Sequence, residues 1–237
     1  MIFDKLIKYE EGVFEILKNF KDGNQNCLIT YFNQHCFNVY SSDKNYKYLI
    51  DNYFHTYIDG FGIYLTVKLF KYNNSQKFNA SDLHEKILKY FIINNFNIFI
   101  IGGNFSSDII KNTENKGLKI CGYQNGFFDQ AEQGLIIKRI KKINPDAILI
   151  GMGVPKQEYF AAELSKELKG KLIICVGNFF EFYFGTIKRI PKSFRNLGIE
   201  WIFRLFTEPR HLWKRYLIGI PVFVFLLFKG LFNKSHY

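Results

Sequence analysis

The sequence predicts an α/β protein with a Rossmann-like parallel-sheet core and a C-terminal helical appendage. Three observations lead there. Five short apolar runs punctuate the chain, longer segments of helical period separate the later ones, and the alternation stops after about residue 186, where cations gather.

The strand runs are "NCLITYF" (26–32), "FNIFIIGG" (96–103), "GLKICGY" (117–123), "DAILIGMG" (146–153) and "KLIICVGN" (171–178). Helices are expected at about 82–95, 105–116, 130–143 and 155–168. Runs apolar on both faces and separated by helices belong to a parallel sheet covered on each side, with right-handed crossovers. Ligands of such a sheet bind beyond the carboxyl ends of its strands. Those ends leave through glycine, in "IIGGNFSSD", "IGMGVPKQE" and "VGNFFEF". Gly102 and Gly103 precede Ser106, Ser107 and Asp108, which can cap a helix whose free N–H groups suit a phosphate. The spacing is not GxGxxG, so the glycines equally serve the turn alone.

The 237 residues suffice for one main domain, read as a core over 1–190 and an appendage over 191–237. A hydrophobic fraction of 48% excludes a disordered chain. Cys27, Cys36, Cys121 and Cys175 lie far apart and pair with no His at zinc spacing, so buried free thiols fit better than disulfides or a metal site. The N-terminus, "MIFDKLIKYEEGVFEIL", is acidic where a secretory leader needs cations, which points to a cytoplasmic protein.

Charge is unevenly placed. The net charge is +11, and residues 188–237 hold ten Lys/Arg against Glu200 and Glu208 alone. The chain uses 26 Lys and six Arg, yet Arg189, Arg195, Arg204, Arg210 and Arg215 all fall in this tail. Guanidinium chosen over the default lysine fits a two-point grip on phosphate or carboxylate; a solvated helix face is the alternative. The tail reads as a helix at about 195–206 and a fresh start at Thr207, Glu208 and Pro209. Arg210 and Lys214 are four apart, as are His211 and Arg215, so each pair shares a helix face. The run from Leu217 to Phe228, interrupted by Gly219 and Pro221, is too short for the ~20 residues of a membrane span. Backed by Trp213 and cations, it suits an element lying at the surface of an anionic membrane. A helix packed on the core or in an oligomer interface is the other reading. The appendage is therefore expected to be membrane-associating.

The motifs "DGFG" (59–62), "GMGVPKQE" (151–158), "GTIKRIP" (185–191) and "LGIEWIFRLFTEPRHLWKRY" (197–216), in this order, make the chain resemble the WecG/TagA/CpsF family of bacterial glycosyltransferases, over about residues 26–220. The resemblance implies a Rossmann-like core and a membrane-docking appendage. It implies transfer of N-acetylmannosamine or a related sugar from a UDP-sugar to a polyprenyl-diphosphate-linked saccharide, with inversion, at the inner face of the plasma membrane. Asp59 matches the family's acidic residue and is the candidate base; by spacing alone it would be an Asp-Gly turn. Gln157 matches a polar position expected to hold sugar or acceptor. Thr30 and Asn33 fall where the family has Thr-x-Asn, but the spacing here is one longer and Asn33 is the better match. The family's Arg-x-x-Gly-x-Asp appears as "KFNASD", with Lys77 for Arg and Ala80 for Gly, and Glu181 stands where Asp is usual. Either change can alter donor preference.

The remaining candidates for substrate binding are the turn glycines Gly102, Gly103, Gly151 and Gly153. With them stand the tail cations Arg204, Arg210, Lys214 and Arg215, expected to neutralise the departing diphosphate. None of the nine Asp forms a D-x-D pair, so no obligatory metal or other cofactor is expected. Three rivals are weighed: a basic membrane- or nucleic-acid-binding protein, a methyltransferase or nucleotide-sugar modifying enzyme on the same fold, and a non-catalytic membrane adaptor. The apolar run beside the cations argues against nucleic acid. The sequence leaves the sugars, the polymer and the oligomeric state open, a homo-oligomer included.

Overall fold

The computed structural model describes residues 2–20, 25–70, 75–76, 79–114, 117–187, 200–207 and 209–232. Its centre is a six-stranded parallel sheet of β1 (Cys27–Phe32), β2 (Phe54–Ile58), β3 (Asn97–Gly102), β4 (Lys119–Gln124), β5 (Ala147–Gly151) and β6 (Leu172–Cys175), in the order β2-β1-β6-β5-β3-β4. Around it lie α1 (Ile2–Lys5), α2 (Glu10–Asn19), α3 (Gln34–Ser42), α4 (Lys44–Tyr53), α5 (Gly60–Leu69), α6 (Ala80–Ile93), α7 (Ser107–Glu114), α8 (Gln130–Ile143), α9 (Lys156–Glu167) and α10 (Phe179–Tyr183).

Side-chain alternation along the strands builds two apolar layers. Ile98, Ile100, Leu149, Leu172 and Ile174 pack with Leu83, Ile87 and Phe91 of α6. Phe99, Ile101, Ile148, Ile150 and Ile173 pack with Ile136 and Ile140 of α8 and with Phe160 and Leu164 of α9. Each such fully buried side chain stabilises by about 1.5–3 kcal/mol, so the sheet is held from both sides. β3 continues outward to β4, whereas its neighbour β5 continues the opposite way to β6. The connections diverge there, opening a crevice at the carboxyl ends of β3 and β5.

Each of the five expected strands and the four expected helices forms, within a few residues of its expected ends; α8 matches residue for residue. A capping box between Asp129 and Glu132 opens α8, and left-handed Asn144 closes it. β2 is an addition to the five strands expected. This edge strand pairs with β1 on one side, takes a single parallel bridge from Ile7 on the other, and buries only Thr56, Tyr57 and Ile58 of its five residues. Cys27, Cys36 and Cys175 are buried and unpaired as expected, while Cys121 is exposed on edge strand β4.

Beyond residue 199 the chain forms α11 (Glu200–Thr207), α12 (Pro209–Trp213), a π-helical turn (Lys214–Ile218) and α13 (Gly219–Phe232). Pro209 opens a helix as expected, but Thr207 ends the preceding one. Pro221 has no N–H for the carbonyl of Leu217 and crowds it, which gives the helix a cause to widen just before α13. α13 packs on α3: the ring of buried Phe223 meets that of Phe37 edge-on at 5.3 Å, and Asn38 Nδ2 donates to the carbonyl of Gly219 at 2.7 Å. Its other face leaves Val222, Phe225 and Phe228 exposed. The 217–228 run thus covers the core with one side and presents apolar groups with the other. No helix among the described residues is long and apolar enough to cross a membrane.

Candidate active site

Asp59 follows β2 in extended conformation, and Gly60, at φ +78°, turns the chain into α5. Few L side chains adopt that backbone, so a glycine after Asp59 lets the carboxylate stand at the strand end. The carboxylate does not cap its own helix. Its Oδ1 accepts from the amide of Ala80 at 3.0 Å, and its Oδ2 from Asn33 Nδ2 at 3.3 Å. Asn33 caps α3, its Oδ1 accepting from the amides of His35 (3.1 Å) and Cys36 (3.2 Å). The cap fixes which way the Asn33 amide faces, and its N–H₂ is thereby aimed at Asp59.

Thr30 and Gln157 are fully buried and joined by Glu158, a residue the sequence reading passed over. Glu158 Oε1 accepts from Thr30 Oγ1 at 2.8 Å and from Gln157 Nε2 at 2.7 Å, while Gln157 Oε1 accepts from the amide of Gly177 at 3.0 Å. Glu158 Oε2 is buried without a partner. Burial pushes this carboxyl up to about 7, against the opposing pull of the hydrogen bonds from Gln157 and Thr30.

The glycine turns bring backbones together. A Cβ on Gly102 would lie 2.7 Å from the carbonyl oxygen of Gly151, and one on Gly151 would lie 2.4 Å from that of Gly177. The ends of β3, β5 and β6 therefore meet at distances only glycine permits. Gly103 accepts from the amide of Gly126 at 3.3 Å, and Gly153 lies in open space in the turn to α9. Lys156 Nζ donates to the carbonyls of Gly126 (3.3 Å) and Phe128 (3.2 Å), pinning the loop after β4. Phe127, between them, is 79% exposed and offers a ring face of the kind on which a nucleobase stacks.

Arg215, on the π turn, reaches the same end of the sheet. Its charge acts on Tyr31, His35 and Cys36, and its Nε is buried without a partner. Asp59 acts on Tyr31 and Cys36 as well, so cation and carboxylate flank the same groups. Burial and Arg215 together lower His35 to about 4, against a hydrogen bond with the Val154 backbone. Arg210 and Lys214 are exposed, Lys214 Nζ lying 5.6 Å from the Trp213 ring centroid. Arg204 lies in α11; its side chain, like Lys77 altogether, falls outside the described residues. Among the described residues no three His, Cys, Asp or Glu are grouped to hold a metal ion.

The structure thus brings Asp59 and Asn33 together at the paired ends of β2 and β1, with Arg215 acting on neighbouring groups, and joins Thr30 to Gln157 through Glu158. Gly102 and Gly103 lie at the end of β3, four strand spacings or about 19 Å from β2, which Asp59 follows, and Gly151 and Gly153 lie at the end of β5, three spacings or about 14 Å away. Glu158, His35 and Phe127 were missed. The available signals were a carboxylate at a strand-to-helix turn beside Gln157, a histidine two residues after Asn33, and paired rings after a glycine in "NGFFD".

The profile of the WecG/TagA/CpsF glycosyl transferase family matches residues 3–237. Among curated proteins, the chain is similar to the N-acetylglucosaminyldiphosphoundecaprenol N-acetyl-beta-D-mannosaminyltransferases of Staphylococcus aureus. The strain NCTC 8325 and COL proteins are 27% identical to it over 225 residues, covering 91% of this chain and 86% of theirs. The strain MRSA252 protein is 27% identical over 226 residues with the same coverage. With this match running nearly end to end over a parallel α/β sheet, the chain belongs to the WecG/TagA/CpsF family and is a glycosyltransferase.

Proposed function

We propose that the enzyme transfers N-acetylmannosamine, or a related hexose or uronate, from a UDP-sugar to a saccharide carried on undecaprenyl diphosphate. The convergence of Asp59, Asn33 and Arg215 at the paired ends of β1 and β2 carries the reading. Asp59 takes the proton of the acceptor hydroxyl as its oxygen attacks the anomeric carbon. The bond from that carbon to the diphosphate oxygen breaks, UDP departs, and the configuration inverts. Asn33 holds the carboxylate in place, and Arg215 meets the charge that builds on the diphosphate. The four-strand span from Asp59 to the crevice at Gly102 suits an extended nucleotide-sugar, with the base beside Phe127.

The names of the staphylococcal relatives support a lipid-linked acceptor. The exposed apolar face of α13, next to Arg210 and Lys214, supports docking on the cytoplasmic face of the plasma membrane, where such an acceptor resides. Neither metal nor nucleic acid has a part in this scheme. A thermal-shift panel in EDTA tests the nucleotide class. A UDP-sugar at 100 times its Kd stabilises the protein by about 2.7 kcal/mol, while S-adenosylmethionine and NAD leave it unchanged. Stabilisation by either of those instead of UDP-sugars would sink the reading.

A further inference from the structure

We infer that Glu158 is the positioning residue of this site, holding Thr30, Gln157 and the Gly177 turn in one arrangement while it is uncharged. The inference rests on the transferase reading for what the site does, and on geometry for how the site is held. One oxygen, Oε1, takes hydrogen bonds from β1 through Thr30 and from α9 through Gln157. Gln157 passes the constraint to the turn after β6 by accepting from Gly177. A glutamine amide can flip end for end, and Glu158 fixes it, because only the Nε2 end can donate to the carboxyl. Gly177 in turn lies against Gly151 and against the Tyr31 hydroxyl, so the network sets the spacing of three strand ends.

Oε2 is buried without a partner, so an ionised Glu158 would hold an uncompensated charge. The titratable groups facing it are Tyr31 from β1, Cys36 from α3, Tyr46 from α4 and Cys175 from β6, none of them a cation. Its rise to about 7 agrees with that environment. In a protonated carboxyl, Oε1 is the carbonyl acceptor and Oε2 carries the proton. Glutamine at this position reproduces that arrangement permanently.

The test follows the ¹⁵N-labelled Gly177 amide and the turnover of UDP-sugar with a lipid-linked acceptor between about pH 5.5 and 8.5, in wild type, Glu158→Gln and Glu158→Ala. In wild type the Gly177 resonance moves with a midpoint near 7 and kcat/KM falls through the same range. Glu158→Gln keeps turnover within about threefold of wild type at the acid end, holds it at higher pH and leaves the resonance still; Glu158→Ala loses about 10²-fold in kcat/KM. A wild-type Gly177 signal that does not move, a Glu158→Gln profile with the wild-type fall, or full turnover of Glu158→Ala overturns the inference. Absence of any UDP-sugar turnover in wild type contradicts the donor reading instead, and the amide titration then decides the role of Glu158 alone.

Discussion

Buried Glu158 and half-buried His35 pull the stability of the protein in opposite directions with pH. Glu158, raised to about 7, keeps in the folded state a proton that the unfolded chain loses near 4.5, so stability falls as pH rises between those values. His35, lowered to about 4, stays neutral where the unfolded histidine is protonated, so stability rises with pH between 4 and 6.5. The slopes oppose each other in wild type and separate in a mutant. Glu158→Gln removes the first, and its stability relative to wild type should grow by about 3 kcal/mol from pH 4.5 to pH 7, then level off. Urea unfolding at intervals across that range checks this; a pH-independent difference contradicts it. Legibility in the sequence tracks the same chemistry. Asp59 was visible because "DGFG" matches a motif of the resembling family; its spacing alone reads as an Asp-Gly turn. Glu158 was hidden because burial is a property of the fold, and a glutamate in the first turn of a helix is ordinary on a surface.

At the scale of elements, α13 does for the tail what the hydrophobic layers do for the sheet. Phe223 inserts beside Phe37 and faces Gly62 of α5, where a Cβ would sit 3.6 Å from its ring. Phe223→Ala should cost about 3 kcal/mol in the packing of α13 on α3. Because Arg215 rides on the adjoining π turn, the same change should lower kcat/KM more than it lowers global stability. Limited proteolysis at α12 to α13, set against a far-ultraviolet melt, reads the two effects apart; an unchanged cleavage rate contradicts the tie. Strands buried on both faces were legible because continuous apolar runs admit few other readings. β2 was not, since "FHTYI" is short, carries a histidine and lacks glycine or proline at its start. The π turn was equally hidden, being a response to a proline several residues downstream rather than to its own residues.

For the whole molecule, the uneven charge and the apolar face of α13 lie in the same quarter of the chain. Arg210 and Lys214 are exposed beside Leu217, Ile218, Val222, Phe225 and Phe228. With each cation near an anionic surface contributing about 1 kcal/mol, association with phosphatidylglycerol vesicles should weaken steeply with salt. Val222→Ser, Phe225→Ser and Phe228→Ser together should abolish what remains at high salt, because these side chains leave the packed face of α13 untouched. Sedimentation with vesicles reads both effects, and equal binding to neutral vesicles would contradict the electrostatic part. The parallel architecture, the appendage and the family were legible from motif order and charge placement. The sugar specificity was not, because it depends on pocket shape, which motif order and charge placement do not describe.

In the proposed reaction Asp59 deprotonates an acceptor carried on a polyprenyl diphosphate while a UDP-sugar donates. The most direct measurement is UDP release and acceptor extension by wild type and Asp59→Asn, in EDTA, across a panel of UDP-sugars. The expected result is extension from one of them, with Asp59→Asn folded, still binding UDP, and slower by about 10²–10⁴-fold. Turnover by Asp59→Asn at the wild-type rate, or extension of the acceptor from no UDP-sugar, would contradict it.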